Sequence, residues 1–189
     1  MTDDTTRATT FSANTDELVG HNRAYADAFD AGHLDTTPLR HLAVVACMDS
    51  RMDIFKILGL DNGEAHIIRN AGGVITDDVI RSLCLSQRAL DTREIVLLHH
   101  TKCGLHNLSE DQFKADLERE LGIKPWWALE SFVDPFADVR QSIQRLYATP
   151  FVSYKENIRG FVYDVETGAL HEVTLSGGIN PEPGVTERT

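Results

Sequence analysis

A chain of 189 residues, 42% hydrophobic and 25% charged, has the make-up of one globular domain that needs no disulfide staples. Its formal net charge of −11 and pI near 5.1, with no basic run longer than two residues, exclude nucleic acid and anionic membrane surfaces as expected partners. The three cysteines make no disulfide framework. The N-terminal MTDDTTRATT lacks the basic and apolar regions of a secretory signal, and no apolar stretch approaches the ~20 residues that span a bilayer, so the expected location is cytoplasmic.

Residues 1–13, rich in Thr and Asp, are expected to be a flexible N-terminus. Asn14 or Thr15 predicts a helix cap, with Glu17 placed for a capping box, and the helix is expected to run to about Ala31 and end at Gly32. Its loose apolar stripe offers little core of its own, so the helix is expected to dock on another subunit. The apolar run from His41 to Cys47 predicts a buried parallel strand. A polar turn, Met48–Arg51, and a short helix, Asp53–Leu58, follow. Ala65–Ile68 predicts a second strand, then a Gly-rich turn from Arg69 to Gly73. Thr76 caps a helix to about Leu90, with Asp77 and Asp78 in its first turn. Cys84 within it reads as core.

Glu94–His100 is another apolar strand. Ser109 and Gln112 suit a capping box for a helix to about Leu121. A loop with Trp126 and Trp127 precedes a helix over 136–147. Gly160–Val165 and Leu170–Leu175 predict a hairpin around Glu166-Thr167-Gly168. Residues 176–189 are expected to be a flexible tail. Strands alternating with helices predict a single α/β domain over 14–175, with a mostly parallel central sheet flanked by helices and a C-terminal β-hairpin.

The chemistry-bearing residues fall at the ends of two apolar strands: Cys47-Met48-Asp49-Ser50-Arg51 and His100-Thr101-Lys102-Cys103. Ligands of an open α/β sheet bind beyond the carboxyl ends of its strands, where the winding reverses. If the 41–47 and 94–100 strands are neighbours, Cys47, His100 and Cys103 converge. Two thiolates and an imidazole favour tetrahedral zinc, and three protein donors leave one place for water. Asp49, His99, His41, His66 and His106 are alternative fourth donors. Asp49 has a second partner in Arg51, two residues on. On zinc, Asp49 would close the site; on Arg51, it would leave the site open. His66 and His106 are candidates for exporting protons.

Cys47-Met48-Asp49-Ser50-Arg51, Arg69-Asn70-Ala71-Gly72-Gly73 and His100-Thr101-Lys102-Cys103-Gly104 together resemble the three motifs of β-class carbonic anhydrases, over roughly residues 14–175. The short chain and the Arg-Gly-Phe-Val-Tyr-Asp-Val segment at 159–165 resemble the small bacterial branch, which also contains carbonyl sulfide hydrolases. The resemblance implies one Zn²⁺ per chain on Cys47, His100 and Cys103, with Asp49 and Arg51 as the catalytic pair. It implies reversible hydration of CO₂ to bicarbonate through zinc-bound hydroxide, with carbonyl sulfide as the alternative substrate. It also implies a homodimer or homotetramer joined through the N-terminal helix. Gly72 and Gly73 are expected to let backbone approach the substrate.

Overall fold

The computed structural model describes residues 12–175. The segments expected to be flexible, 1–13 and 176–189, lie outside the described residues except for residues 12 and 13. The chain divides into two compact units, one ending at Leu34 and the other beginning at Asp35.

The first unit carries helix α1 (Thr15–Asp27) and a 3-10 turn at Ala31–His33. The helix stops four residues before the expected Ala31 because its hydrogen bonding tightens. The N–H groups of Ala28 and Phe29 reach back only three residues, to the carbonyls of Tyr25 (3.2 Å) and Ala26 (3.3 Å). Asn14 starts the helix through its backbone carbonyl, which accepts from Leu18 N–H at 3.1 Å, and its side chain makes no cap bond. No residue of α1 is buried, and Leu18, Val19, Tyr25 and Phe29 are exposed.

The second unit holds a five-stranded sheet of β1 (Leu42–Cys47), β2 (Ala65–Asn70), β3 (Glu94–His100), β4 (Ile158–Tyr163) and β5 (Leu170–Val173). The strand order is β2-β1-β3-β4-β5. β1 pairs in parallel with both β2 and β3, β4 lies parallel to β3, and β5 closes the edge antiparallel to β4. This is the expected α/β arrangement with its C-terminal hairpin. Strand β2 runs two residues further than expected, so Arg69 and Asn70 pair with Ala46 and Cys47 instead of opening the turn.

Strand alternation divides the core into two clusters. Ala43, Val45, Ile95 and Leu97 pack with Val79 and Leu83 of α3 (Asp77–Leu90) and Val139, Ile143 and Leu146 of a C-terminal helix. Leu42, Val44, Ala46 and Leu98 pack with Met52, Ile54, Leu60, Leu105 and Phe132. Helix α2 (Ile54–Leu58) is capped by Asp53, α3 by Thr76, and α4 (Glu110–Leu121) by Ser109. The Ser109–Gln112 capping box is only half made. Ser109 Oγ accepts from the Gln112 N–H, but the Gln112 side chain turns to Asp116. The C-terminal helix is α5 (Pro135–Ala148). It starts one residue early because Asp134 caps it and Pro135 fills the first position, where a missing N–H costs nothing. Cys84 is half-buried, not core, and Trp126 is almost wholly exposed.

Gly73 shows why the turn after β2 is glycine. Its φ is +73°, and a Cβ there would stand 2.8 Å from Cys47 N and 3.2 Å from Leu98 O. Only a residue without a side chain lets this turn press on the backbone of β1 and β3.

Candidate metal centre

The parallel order β2-β1-β3 means that the chain leaves β1 to one side, for β2, and then crosses to the other, for β3. The winding therefore reverses at the carboxyl ends of β1 and β3. Cys47 is the last residue of β1, His100 the last of β3, and Cys103 lies three residues beyond. All three are buried, and one donor atom from each lies within 4.8 Å of the others. They are the only such cluster of metal-ligating side chains among the described residues.

The donor atoms suit a metal. Cys47 Sγ and Cys103 Sγ are 4.0 Å apart. That is far beyond a disulfide bond of about 2.05 Å, but close to the roughly 3.8 Å that two thiolates keep on one tetrahedral zinc. His100 Nδ1 donates to the Thr101 carbonyl at 2.8 Å, since a carbonyl can only accept. When neutral, His100 is thereby fixed with a bare Nε2, and that atom is buried without a hydrogen-bond partner. A buried imidazole nitrogen with no other partner, facing two thiols, fits the donor set of a zinc ion.

The charges agree. The Cys47 thiol is pulled down chiefly by the Cys103 S–H donating to it, against burial, with help from His100. The same contact pushes Cys103 up, and burial adds to it.

Asp49 is held by Arg51 in a bidentate pair: Nε donates to Oδ1 at 2.9 Å and Nη2 to Oδ2 at 2.7 Å. The Arg51 N–H adds a third bond to Oδ1 at 2.9 Å. The guanidinium beside it, first of all causes, holds the Asp49 carboxyl well below the usual carboxylate range. Asp49 Oδ2 still lies only 3.7 Å from His100 Nε2. Of the two expected arrangements, the structure holds the one with Asp49 on Arg51.

Arg69, read in the sequence only as part of the Gly-rich turn and of the second family motif, supports this loop. Its Nε donates to the Cys47 carbonyl at 3.0 Å and its Nη2 to the Asp49 carbonyl at 2.7 Å. A cavity of about 180 Å³ opens beside the cluster, lined by His100, Cys103, His106, Phe132 and Pro135. A Cβ on Gly72 would stand 2.7 Å from Leu105 Cδ1, 3.2 Å from Val74 Cγ1 and 3.4 Å from Phe132 Cε1, so Gly72 packs against side chains while Gly73 faces backbone. The other histidines separate. His66 is engaged by Ser86 Oγ at 2.8 Å and the Thr36 carbonyl at 3.1 Å, level with the start of β1. His41 bonds the Asp91 carbonyl at 2.7 Å. Only His106 joins the cavity.

A mostly parallel α/β sheet that reverses its winding at a buried Cys–His–Cys set places a candidate metal site at the sheet's carboxyl edge, where enzymes of this architecture carry their chemistry. Residues 42–131 match the carbonic anhydrase family model. The β-carbonic anhydrase 1 of Mycobacterium tuberculosis is 53% identical over 160 residues, covering 85% of this chain and 98% of the relative. A carbon disulfide hydrolase of Acidithiobacillus thiooxidans is 34% identical over 152 residues, covering 69% of this chain and 76% of that protein. A solved carbonic anhydrase from Streptococcus mutans superposes with a TM-score of 0.81 at 41% identity, covering 87% of this chain and 99% of that one. The chain belongs to the β-carbonic anhydrase family and is an enzyme of that class.

Proposed function

We propose that this enzyme hydrates CO₂ reversibly to bicarbonate with one zinc per chain, held by Cys47, His100 and Cys103. The observation that carries the reading is the bare, buried Nε2 of His100 facing two thiols. Zinc there would supply a Lewis acid that lowers the pKa of a water to about 7. The chain's own residues do the rest. Asp49, fixed by Arg51, presents a carboxylate oxygen that accepts a hydrogen bond from the attacking water and orients it. The cavity beside His100 and Cys103, with Phe132 in its wall, seats a small linear apolar substrate. His106 is the candidate to pass the released proton to solvent.

A second reading is hydrolysis of a sulfur analogue, carbonyl sulfide or carbon disulfide. What favours it is the similarity to proteins named carbon disulfide hydrolases. The test is a side-by-side steady-state assay on the zinc-loaded enzyme, with stopped-flow proton release from CO₂ and hydrogen sulfide release from carbonyl sulfide and carbon disulfide. Fast CO₂ turnover with little sulfide supports the first reading; the reverse replaces it.

The domain is proposed to span 14–175, with α1 as an arm that joins a homodimer, or two dimers as a tetramer. The exposed Leu18, Val19 and Tyr25 of α1, with Phe29 just beyond it, support this. The charge of −11 disfavours nucleic acid and anionic membrane as partners, and no helix among the described residues is long and apolar enough to cross a membrane. Three free thiols suit a reducing cytoplasm.

A further inference from the structure

Lys102 stands between two of the three metal donors, His100 and Cys103, in the left-handed region with φ of 53°. A residue with a Cβ is strained there and persists only where its surroundings impose it. The kink has a visible result at the neighbouring pair. Arg51 Nη2 donates to the Lys102 carbonyl at 3.0 Å, while the same nitrogen donates to Asp49 Oδ2 at 2.7 Å. One guanidinium edge is thus shared between the carboxylate and the backbone of the metal-donor loop.

The loop is tied down from its other side by the β4–β5 hairpin. Thr101 N donates to the Tyr163 carbonyl at 2.9 Å. Val165 N donates to Thr101 Oγ1 at 3.2 Å. Lys102 Nζ meets Glu166 Oε1 at 2.6 Å. The Arg51 side chain is about half exposed, at 47%, and a long cation in that setting ordinarily keeps much of its rotamer freedom.

We propose that Lys102 is a positioning residue: its left-handed backbone aims a carbonyl at Arg51 and keeps the guanidinium fork aligned on Asp49, with the hairpin turn holding that carbonyl in place. This rests on the reading of Asp49 and Arg51 as the catalytic pair. It assigns the residue between the donors a role that lies in its backbone, so a replacement should be judged by whether it tolerates positive φ.

The experiment compares Lys102→Gly, Lys102→Asn and Lys102→Val in the full-length, zinc-loaded enzyme. Gly and Asn accept the left-handed region, and β-branched Val does not. Zinc per chain is measured with kcat and KM for CO₂ hydration. Gly and Asn are expected to keep kcat within about threefold of wild type, and Val to lower it by about tenfold or more with KM little changed and zinc retained. In an Arg51→Lys background, where the fork is already lost, Lys102→Val should lower kcat by less than about twofold further. Wild-type kcat in Lys102→Val with full zinc overturns the inference, as does impairment of Gly and Asn equal to that of Val. Zinc loss in step with activity in Lys102→Val also overturns it, because the kink would then serve the donor loop and not Arg51. A wild type that binds no zinc or hydrates no CO₂ sinks the underlying reading itself, before any variant is compared.

Discussion

Replacing Gly73 with Ala tests how the turn after β2 supports the metal-donor strand. The new Cβ would stand 2.8 Å from Cys47 N, 3.0 Å from Ala46 C and 3.2 Å from Leu98 O. All three are backbone atoms of central strands, so no rotamer change relieves the contact. Two costs combine. Holding Ala at φ +73° costs about 1–2 kcal/mol, and forcing an extra methyl into packed backbone costs about 1–3 kcal/mol. Together they take about 2–5 kcal/mol from a domain whose whole stability is about 5–15 kcal/mol. Gly122 provides the control. It has φ +74° with nothing within 4 Å of its ideal Cβ, so Gly122→Ala carries the conformational cost alone. Urea unfolding of both variants at equal zinc, followed by tryptophan fluorescence, should show Gly73→Ala the more destabilised by at least about 1 kcal/mol. The lost stability should come with weaker zinc retention against a chelator, because the displaced atom belongs to Cys47. Equal destabilisation by the two substitutions would refute the close-approach argument.

Cys47→Ala and Cys103→Ala should each lose zinc and activity together; metal analysis showing one zinc per chain in either variant would remove that residue from the donor set. Arg51→Ala should lower kcat on the order of 10- to 100-fold by freeing Asp49, and Arg51→Lys should recover little of it, because Lys cannot make the planar two-point pair. A stopped-flow kcat near wild type in Arg51→Lys would contradict that. Asp164 accepts from Glu166 N at 2.8 Å, and that bond, first among its causes, holds its carboxyl below the ordinary value. Its contribution is therefore present above the unfolded pKa near 4 and lost as pH falls through the lower folded value. The stability difference between wild type and Asp164→Asn, from thermal unfolding at pH 7 down to 3, should shrink only below about pH 4; a difference that grows on acidification would reverse the assignment.

The two central strands were legible because burial on both faces demands an unbroken apolar run, and Leu42–Ala46 and Ile95–Leu98 supply one. Their ends were legible too, since Cys and His in such positions stand out against Val and Leu. Thr76 and Ser109 announced their helices because cap chemistry is local, and both side chains accept the expected backbone N–H. What escaped notice depends on distant partners. Arg69 and Asn70 belong to β2 because Ala46 and Cys47 pair with them, although their own composition reads as turn. The end of α1 is set by hydrogen bonds that tighten after Tyr25, while Gly32 offered a more obvious stop. The positive φ of Lys102 has no sequence signal at all, because neither its type nor its neighbours favour the left-handed region.

The same alternation decides which side chains reach the candidate metal centre. His99 and His100 are adjacent in the chain, and by composition either is a metal donor. In a strand, consecutive side chains leave opposite faces of the sheet. His100 therefore meets the cysteines, while His99 is sent to the face covered by α5, where its Nε2 lies 2.6 Å from Asp138 Oδ2. His41 precedes β1 and His66 of β2 pairs with Ala43, both at the end of β1 remote from Cys47, and their rings are already engaged. That removes three of the four histidines weighed as a fourth donor, and the fourth, His106, lines the cavity but lies outside the donor cluster. The carboxylate that remains within reach, Asp49, is held by three hydrogen bonds from Arg51. A structural zinc takes four protein ligands, whereas a catalytic one keeps a place for water. Three donors converge here while the nearest fourth is tied away by a cation, and that arrangement supports catalysis over mere structural support.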